Sequence, residues 1–472
     1  MKEKNSMKTI LLIRPDLPQD YPMGKLPPFL PLGLGFLAAV LKRAGYHVEI
    51  LDNYLYCKKA DELIEDVRSI KPDLIGISVT VATTSTVDSI ISVLKEENIP
   101  MVIGGPQVTI DPTGTLKRLN AEIGAVGEGE NTILELCRVL HDTGSLSFDN
   151  LKEVNGLVLK TNKNGKYYLT PNRQFMKKLD TLPFIPVSLF PYQKYQQNTP
   201  ELKASPLGWM STSRGCPWNC SFCSNILVWG RQYRYMGPKR VVDEMDYLAN
   251  NFGIRAIDFR EDNFTVNRKR VLEICSLIKE RNLQIEWMCE SRVDIVDEEL
   301  LTSMKEAGCS AIYFGVESGT QRVLDLLRKD ITLEKTERAL NLCKKIGIRT
   351  IAAIMLGIPQ QTLKENYESI DFIKKLDPDI VYFNVFMGFP GSDLYDYIVQ
   401  HDLIYKKWEE IILPNSEVLT WPEKLKLKQK VELLYNISPK VLFRHIKRIG
   451  LIRTAQKGVL TIRRYMQSRR DF

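Results

Sequence analysis

The stretch GWMSTSRGCPWNCSFC, residues 208–223, places a short apolar run directly before three cysteines. The run predicts a buried strand over residues 208–213, and the glycine and proline that follow predict a turn of the chain. Cys216, Cys220 and Cys223 then have the spacing C-x3-C-x2-C. Three thiolates on one short loop can converge on a polynuclear iron–sulfur centre, which requires thiolate ligands. The stretch therefore predicts a strand that carries a metal centre at its carboxyl end.

Two other interpretations of the cysteine loop stay open, a zinc site and incidental cysteines. A structural zinc ion would need a fourth ligand nearby, but the chain's histidines stand elsewhere, at His47, His141, His401 and His445. An iron–sulfur cluster is favoured by the cysteine spacing and by the lack of a fourth ligand nearby. Three ligands to a four-iron cluster would leave one iron open to bind a substrate. The other six of the nine cysteines are scattered singly, which is typical of free thiols and not of a disulfide framework.

The chain after the cysteine loop repeats a strand–helix unit. Amphipathic segments such as RVVDEMDYLANN separate five further apolar runs, which are residues 254–260, 285–290, 310–316, 348–356 and 379–386. Six such units can curl into an open barrel with its active site at the carboxyl ends of the strands, although the pattern also allows a second open sheet. We predict this partial barrel over residues 205–395, and a helical extension over residues 396–472.

The first part of the chain also alternates strands with helices, here of roughly 10–15 residues, as in a parallel sheet with helices on both faces. We therefore predict an α/β fold whose first domain, residues 1–145, is a doubly wound parallel sheet. Residues 146–204 are predicted to connect the two domains. They contain a hairpin that turns at Asn164-Gly165 and a proline-punctuated crossing segment.

Two glycine-rich loops follow the fourth and fifth predicted strands, at the sheet edge where doubly wound folds bind ligands. The residues of interest there are Gly104, Gly105, Gln107, Gly127, Glu128 and Gly129. Glycines let a bulky ligand approach the backbone, and the helix N-termini that follow favour an anionic group. We expect these residues to bind a ligand, with tight βα turns as the alternative. A nicotinamide site is not expected, because no G-x-G-x-x-G with a distal acid is present.

Composition and charge limit the class of the protein and its expected location in the cell. Hydrophobic residues make up 44% and charged residues 26% of the chain, as in soluble globular proteins. Neither a transmembrane run nor the apolar core of a signal peptide is present, so we expect a cytoplasmic protein. The net charge of +8 belongs to a basic tail, residues 440–472, with ten Lys or Arg and one acid. This tail could contact the inner membrane face or an acidic partner, or be a solvated helical face; nucleic-acid binding is not expected.

The sequence resembles a known family. RGCPWNCSFCS resembles the signature loop of radical S-adenosylmethionine (radical SAM) enzymes, and four later segments resemble other parts of the same barrel: IDFREDNF, CESRVDIVDEELLTSMKEAG, YFGVESG and MLGIP. The segment PFLPLGLGFLAAVLKRAGYHVEILD, with GGPQVT and VGEGE, is similar to the Rossmann-like cobalamin-binding domain that precedes the barrel in one large subgroup. The resemblance covers about residues 7–400.

The resemblance implies a [4Fe-4S] cluster on the three cysteines, with SAM bound to the open iron. One electron, from an external donor of the flavodoxin or ferredoxin type, then gives methionine and a 5′-deoxyadenosyl radical that abstracts hydrogen from an unreactive carbon. Four residues match SAM-contacting positions: Phe222 and Gly357 for adenine, Glu317 for the ribose hydroxyls and Asp262 for the methionine ammonium. Structural alternatives are a salt bridge for Glu317, a helix cap for Asp262 and a turn before Pro359 for Gly357.

The cobalamin resemblance has one departure. Many cobalamin domains carry D-x-H-x-x-G after the first strand, and its histidine becomes the lower ligand of cobalt. The corresponding loop here, RPDLPQDYPMG over residues 14–24, contains no histidine. We therefore expect cobalamin to bind without a histidine lower ligand.

The resemblance favours a methylase that acts on an unactivated carbon of a small-molecule or lipid intermediate. The enzymatic alternative is cobalamin-dependent radical oxidation, cyclisation or rearrangement, as in the anaerobic magnesium-protoporphyrin ester cyclase branch. A methylthiotransferase would need three more cysteines in the first domain, where only Cys57 and Cys137 occur. A non-catalytic redox sensor with both cofactors is a further alternative, but Glu317 and Gly357 argue against it because a sensor has no need of SAM-binding residues.

Overall fold

The computed structural model describes residues 8–443, apart from residues 23, 162–164, 437 and 442. The predictions for the basic tail fall mainly on residues 444–472, which lie outside the described residues. Within the described part, none of the helices combines the length and the apolar character that a membrane span requires.

The first sheet begins with five parallel strands in the spatial order β2-β1-β3-β4-β5, and β6 and β7 extend it in antiparallel fashion. The strands are β1 (Thr9–Arg14), β2 (His47–Asp52), β3 (Leu74–Ser78), β4 (Met101–Gly104), β5 (Ile123–Ala125), β6 (Leu157–Lys160) and β7 (Tyr167–Leu169). The predicted doubly wound parallel sheet is confirmed. Its antiparallel edge comes from the hairpin of the connecting segment.

Helices cover both faces of this sheet. They are α1 (Leu32–Arg43), α2 (Asn53–Tyr56), α3 (Ala60–Ile70), α4 (Thr84–Leu94), α5 (Pro106–Ile110), α6 (Pro112–Arg118), α7 (Gly129–Thr143) and α8 (Phe148–Leu151). Successive residues of β1 show the two faces, because side chains alternate along a strand. Ile10 and Leu12 belong to the core formed with α1 and α7, whereas Leu11 and Ile13 belong to the core formed with α3 and α4.

The second sheet contains six parallel strands in chain order, β8-β11-β12-β13-β14-β15. The strands described beyond residue 200 are β8 (Leu207–Met210), β9 (Ser213–Arg214), β10 (Arg234–Tyr235), β11 (Ala256–Phe259), β12 (Glu286–Ser291), β13 (Cys309–Glu317), β14 (Arg349–Leu356), β15 (Ile380–Val385), β16 (Ile404–Trp408) and β17 (Ile411–Pro414). This order is that of six successive βα units, so the predicted partial barrel is also confirmed.

The helices of this half alternate with the strands. They are α9 (Asn225–Trp229), α10 (Pro238–Phe252), α11 (Arg268–Glu280), α12 (Glu298–Glu306), α13 (Gln321–Leu326), α14 (Leu333–Ile346), α15 (Leu363–Leu376), α16 (Asp393–Gln400) and α17 (Trp421–Asn436). One apolar core runs from the α1–α7 face of the first sheet through the connecting segment, with Ile185 and Phe190, into the second sheet. The two halves are therefore packed as one body.

The segment after residue 396, predicted to be a helical extension, contains α17 and also an antiparallel hairpin of β16 and β17 that was not predicted. Its turn contains Glu409 at φ +54°, a conformation that Gly or Asn usually takes, so the sequence carries no turn signal there. The hairpin packs on the first domain. The Trp408 indole donates to Asp20 at 3.2 Å, and its ring meets Tyr21 edge-on with centroids 5.0 Å apart.

Candidate active site between the two sheets

A cavity of about 660 Å³ lies where the carboxyl ends of the strands of both sheets face each other. Its walls from the first domain include Arg14, Ser78 and the glycine-rich loops, and its walls from the second domain include Ser211, Arg214, Arg260, Glu261, Asp262 and Glu290. Of the residues predicted for SAM and the cluster, Asp262 lines this space, whereas Phe222, Glu317, Gly357 and the three loop cysteines are not among the lining residues. The volume of the cavity falls in the range of small-molecule sites, roughly 300–1,000 Å³.

Five of the six predicted loop residues line this cavity: Gly104, Gly105, Gly127, Glu128 and Gly129. Gly105 has φ +111°, and a Cβ there would lie 2.8 Å from the Val79 carbonyl oxygen, so only glycine fits. Gln107 is not among the lining residues. It is buried behind the loop, and its amide nitrogen and oxygen have no hydrogen-bond partner in the described structure.

The cysteine loop is held in place by its backbone. Gly215 has φ +87°, and a Cβ there would collide with the Gln232 carbonyl. The Ser221 amide donates to the Leu327 carbonyl at 3.0 Å, and the Ser221 carbonyl accepts from the Leu394 amide at 3.0 Å. The loop is thereby fixed to the end of α13 and the start of α16, and its cysteines need not supply that order themselves.

The three loop cysteines are free thiols of intermediate exposure. Burial raises the pKa of Cys216 and Cys220, and it raises the pKa of Cys223 to about 11. The thiols are thus protonated at neutral pH, and binding of a metal centre would release their protons. Among the described residues, no three His, Cys, Asp or Glu side chains are arranged to hold a single metal ion.

Two cations lie beside the cysteine loop. The Arg292 guanidinium stacks 4.3 Å from the Trp218 ring centroid and donates to the Lys329 carbonyl at 2.6 Å. The buried Lys329 ammonium donates to Glu317 at 2.9 Å. Although burial opposes it, the negative charges of Glu317 and of an ionised Cys220 raise the pKa of Lys329. Both cations favour the thiolate form of Cys220, and Arg292 also favours that of Cys216.

Glu317 ends β13 in a left-handed conformation at φ +65°. It is buried, and its Oε1 pairs with Lys329, so the salt-bridge interpretation describes the contact that is observed. Gly315 makes room for the pair, because a Cβ there would lie 2.8 Å from the Lys329 nitrogen. The Phe222 ring lies nearby, 5.7 Å from that nitrogen. Neither Lys329 nor Gly315 was singled out from the sequence.

Asp262 follows β11 on the cavity wall. Its Oδ1 accepts from the Asn225 amide at 2.7 Å, and the N-cap of the next helix, α11, is Asn267, so Asp262 is not a helix cap there. The side chain is exposed to the cavity, but the surrounding protein still removes part of the water around the carboxylate. This desolvation, with the neighbouring Glu261, raises the pKa of Asp262. Glu261 itself is buried and accepts from the Thr212 amide at 2.5 Å.

Gly357 follows β14 at φ +67°, and its amide donates to Asn366 at 2.8 Å. The space over it is filled by Lys424 from α17, whose Cδ would lie 2.5 Å from a Cβ on Gly357. Lys424 is fully buried and donates to the Pro414 carbonyl at 2.9 Å. Burial lowers the pKa of Lys424 to about 7. Lys424 was missed because EKLKLKQK reads as an exposed helical face.

Comparisons with known proteins agree with this geometry. Residues 210–373 match the family model of the Radical SAM superfamily, and residues 27–137 match that of the B12 binding domain. An uncharacterized methyltransferase of Pyrococcus horikoshii is 32% identical over 92% of this chain and 94% of its own. An anaerobic magnesium-protoporphyrin IX monomethyl ester cyclase of Rubrivivax gelatinosus is 30% identical over 77% of this chain and 65% of its own.

A solved structure has a similar fold. It is the radical SAM methyltransferase TsrM of Kitasatospora setae, determined with cobalamin and a [4Fe-4S] cluster bound. The match has a TM-score of 0.68 and 21% sequence identity, and it covers 85% of this chain and 76% of that one. Both sheets therefore belong to an arrangement already seen in a protein that binds the two cofactors.

Proposed function

Because the chain belongs to the radical SAM enzymes that carry an N-terminal cobalamin-binding domain, we propose that it methylates an unactivated carbon of a small-molecule or lipid intermediate. The observation that carries the proposal is the shared cavity, onto which the glycine-rich loops of the first sheet and the carboxyl ends of β8, β11 and β12 of the second open. A methyl carrier on the first wall would thereby face Asp262 on the other. Arg214, which also lines the cavity, stands two residues before Cys216 in the loop that would hold the radical source.

The residues present fit the cofactors of the family. Cys216, Cys220 and Cys223 are uncommitted thiols on a fixed loop, and they would hold the [4Fe-4S] cluster. Gly105 and the loop at Gly127 would let cobalamin lie against the backbone, as close approach requires. When bound, the cluster and cobalamin would supply the electron that cleaves SAM and the carrier for a methyl group.

Two carboxylates of the second domain, Asp262 on the cavity wall and Glu317 at the end of β13, would orient SAM and keep it in place. Asp262 would accept a hydrogen bond from the methionine ammonium of SAM. Its Oδ1 accepts from the Asn225 amide, which holds the carboxylate in place. Glu317 has its Oε1 engaged by Lys329, which leaves Oε2 to accept from ribose hydroxyls. For Phe222 and Gly357 the adenine contacts remain predictions, and at Gly357 the ring would have to share the space with Lys424.

A second candidate function is cobalamin-dependent radical oxidation or cyclisation. It is favoured by the 30% identity to the Rubrivivax gelatinosus cyclase, which is close to the 32% identity to the Pyrococcus horikoshii methyltransferase. Either reaction needs a one-electron donor, and we propose an external protein of the flavodoxin or ferredoxin type.

The test uses full-length protein reconstituted anaerobically with iron, sulfide and cobalamin, then supplied with SAM, a strong one-electron reductant and a small-molecule extract. Mass spectrometry quantifies 5′-deoxyadenosine and S-adenosylhomocysteine. Both products, lost in Cys220→Ala and kept in the exposed control Cys57→Ala, would support the methylase. Deoxyadenosine without S-adenosylhomocysteine would favour the second candidate. Cobalamin and iron bound with neither product formed would contradict both and favour the sensor.

A further inference from the structure

A buried group of four charged side chains joins the two domains beside the cavity. Glu128 Oε1 accepts from Arg214 Nη1 at 2.8 Å and from Arg234 Nη1 at 2.6 Å. Arg214 also pairs through Nη2 with Glu130. All four side chains are only 3–7% exposed. We call these four residues the interdomain tetrad.

The tetrad connects the two predicted cofactor loops directly. Glu128 is the N-cap residue of α7 and Glu130 lies in its first turn, where a helix favours negative charge. Arg214 stands two residues before Cys216 and is paired with Arg234 across the β9–β10 ladder. The glycine-rich loop of one domain is thus bonded to the base of the cysteine loop of the other.

The arginines of the tetrad define an orientation in addition to supplying positive charge. Arg214 uses two separate nitrogens for two carboxylates, and its guanidinium also packs on the Phe36 and Trp229 rings, with centroids 5.3 Å and 5.2 Å away. A planar guanidinium held in this way defines an orientation, which an ammonium group could not do. Although burial opposes it, the two guanidiniums keep the pKa of Glu128 below its usual range, so Glu128 is charged at neutral pH.

We infer that Arg214, Arg234, Glu128 and Glu130 are positioning residues that set the separation of the two cofactors by bonding the cysteine loop to the glycine-rich loop. This inference rests on the proposed function, since it concerns the same site. Its physical reason is that a shift of about 1 Å between reacting groups can cost about 100-fold in rate.

The test compares Glu128→Gln with Glu244→Gln in the full chain. Glu244 is a matched control because it is a buried carboxylate paired with one arginine, Arg240, at 2.7 Å within α10, away from the cavity. Without cofactors, hydrogen–deuterium exchange should be faster around the Cys216 amide in Glu128→Gln, and unchanged there in Glu244→Gln. Arg214→Lys keeps the charge but loses the fork, so it should give an intermediate effect and remains informative if Glu128→Gln does not fold.

In the reconstituted protein, Glu128→Gln should retain iron and cobalamin. Pulsed electron paramagnetic resonance should show a wider distribution of distances between the reduced cluster and cob(II)alamin. Deoxyadenosine formed per S-adenosylhomocysteine should rise, by up to about 100-fold for a shift of about 1 Å. Exchange and distance distributions equal to those of wild type, with only a lower melting temperature, would overturn the inference and leave a purely structural role. If the wild type forms no S-adenosylhomocysteine, the proposed function fails, yet the exchange and distance measurements still decide the role of the tetrad.

Discussion

Gly357→Ala should destabilise the second domain more than an ordinary glycine replacement does, because two separate penalties meet at this residue. The first is conformational: a left-handed backbone, here at φ +67°, costs an L-residue about 1–2 kcal/mol. The second is steric. The new Cβ would lie 2.5 Å from Lys424 Cδ and 2.7 Å from both Cγ and Cε, and overpacking of a filled site costs about 1–3 kcal/mol.

Lys424 cannot move away without a further cost. Its ammonium group is fully buried and donates to the Pro414 carbonyl at 2.9 Å. A shift that breaks this bond would leave a buried donor without a partner, at about 1–3 kcal/mol. We therefore expect Gly357→Ala to cost about 2–5 kcal/mol in total.

Gly253→Ala is the matched control. Gly253 has φ +66°, nearly the same conformation, but apart from its chain neighbours no described residue has an atom within 4 Å of the position of its Cβ. The control should show the conformational penalty alone, about 1–2 kcal/mol. The difference between the two variants then isolates the contact with Lys424.

Hydrogen exchange of peptides covering β14 measures the free energy of unfolding of this domain without assuming that the whole chain unfolds in one step. The double variant Gly357→Ala/Lys424→Ala should lose the steric part of the cost relative to Lys424→Ala alone, as a double-mutant cycle for neighbours requires. If Gly357→Ala costs no more than Gly253→Ala, Lys424 does not fill the space over Gly357, and that space is open to another group such as adenine.

Three further predictions concern the charges and the cofactors of the site. Lys329→Met should lower the reduction potential of the reconstituted cluster, because it removes a cation that interacts with Cys220. A redox titration followed by electron paramagnetic resonance measures this potential, and an unchanged value would contradict the prediction. Burial raises the pKa of Glu290 to about 8, with neighbouring acids adding to this and Arg260 opposing it. The folded protein thus holds a proton that the unfolded chain releases near pH 4.5, so melting temperatures should fall as pH rises towards 8 in wild type and fall less in Glu290→Gln. Cys223→Ala should lose iron but still show bound cobalamin in absorption spectra, since Cys223 lies outside the glycine-rich loops that we propose for cobalamin; loss of both would contradict separate sites.

The order of strands and helices could be predicted from the sequence, because a buried parallel strand is a short uninterrupted apolar run. The run 285–290 became Glu286–Ser291, and the run 348–356 became Arg349–Leu356. The hairpin of β16 and β17 could not be predicted in this way. Its turn at Glu409 lacks the Gly or Asn that would mark it, and only its packing on the first domain explains why the conformation is tolerated.

The positions of the cofactor loops could be predicted, but their mutual bonds could not. Five of the six glycine-loop residues reach the cavity because carboxyl ends of parallel strands share one edge of a sheet. Glu128 is predicted to contact a ligand, and it lines the cavity, but its bond to Arg214, 86 residues away, was not predicted. No periodicity or spacing relates two such positions, since their contact depends on how one domain packs on the other.

Two buried lysines show why charge at the site follows from tertiary structure and not from residue type. Burial alone lowers the pKa of any lysine. The Lys424 ammonium donates to a carbonyl, and burial outweighs the charge of Glu417, so its pKa falls to about 7. Lys329 meets the Glu317 carboxylate at 2.9 Å and interacts with Cys220, so its pKa rises instead. Positive charge is therefore kept beside the cysteine loop, where thiolates must form, and is weakened at the end of β14, where burial outweighs the charge of Glu417.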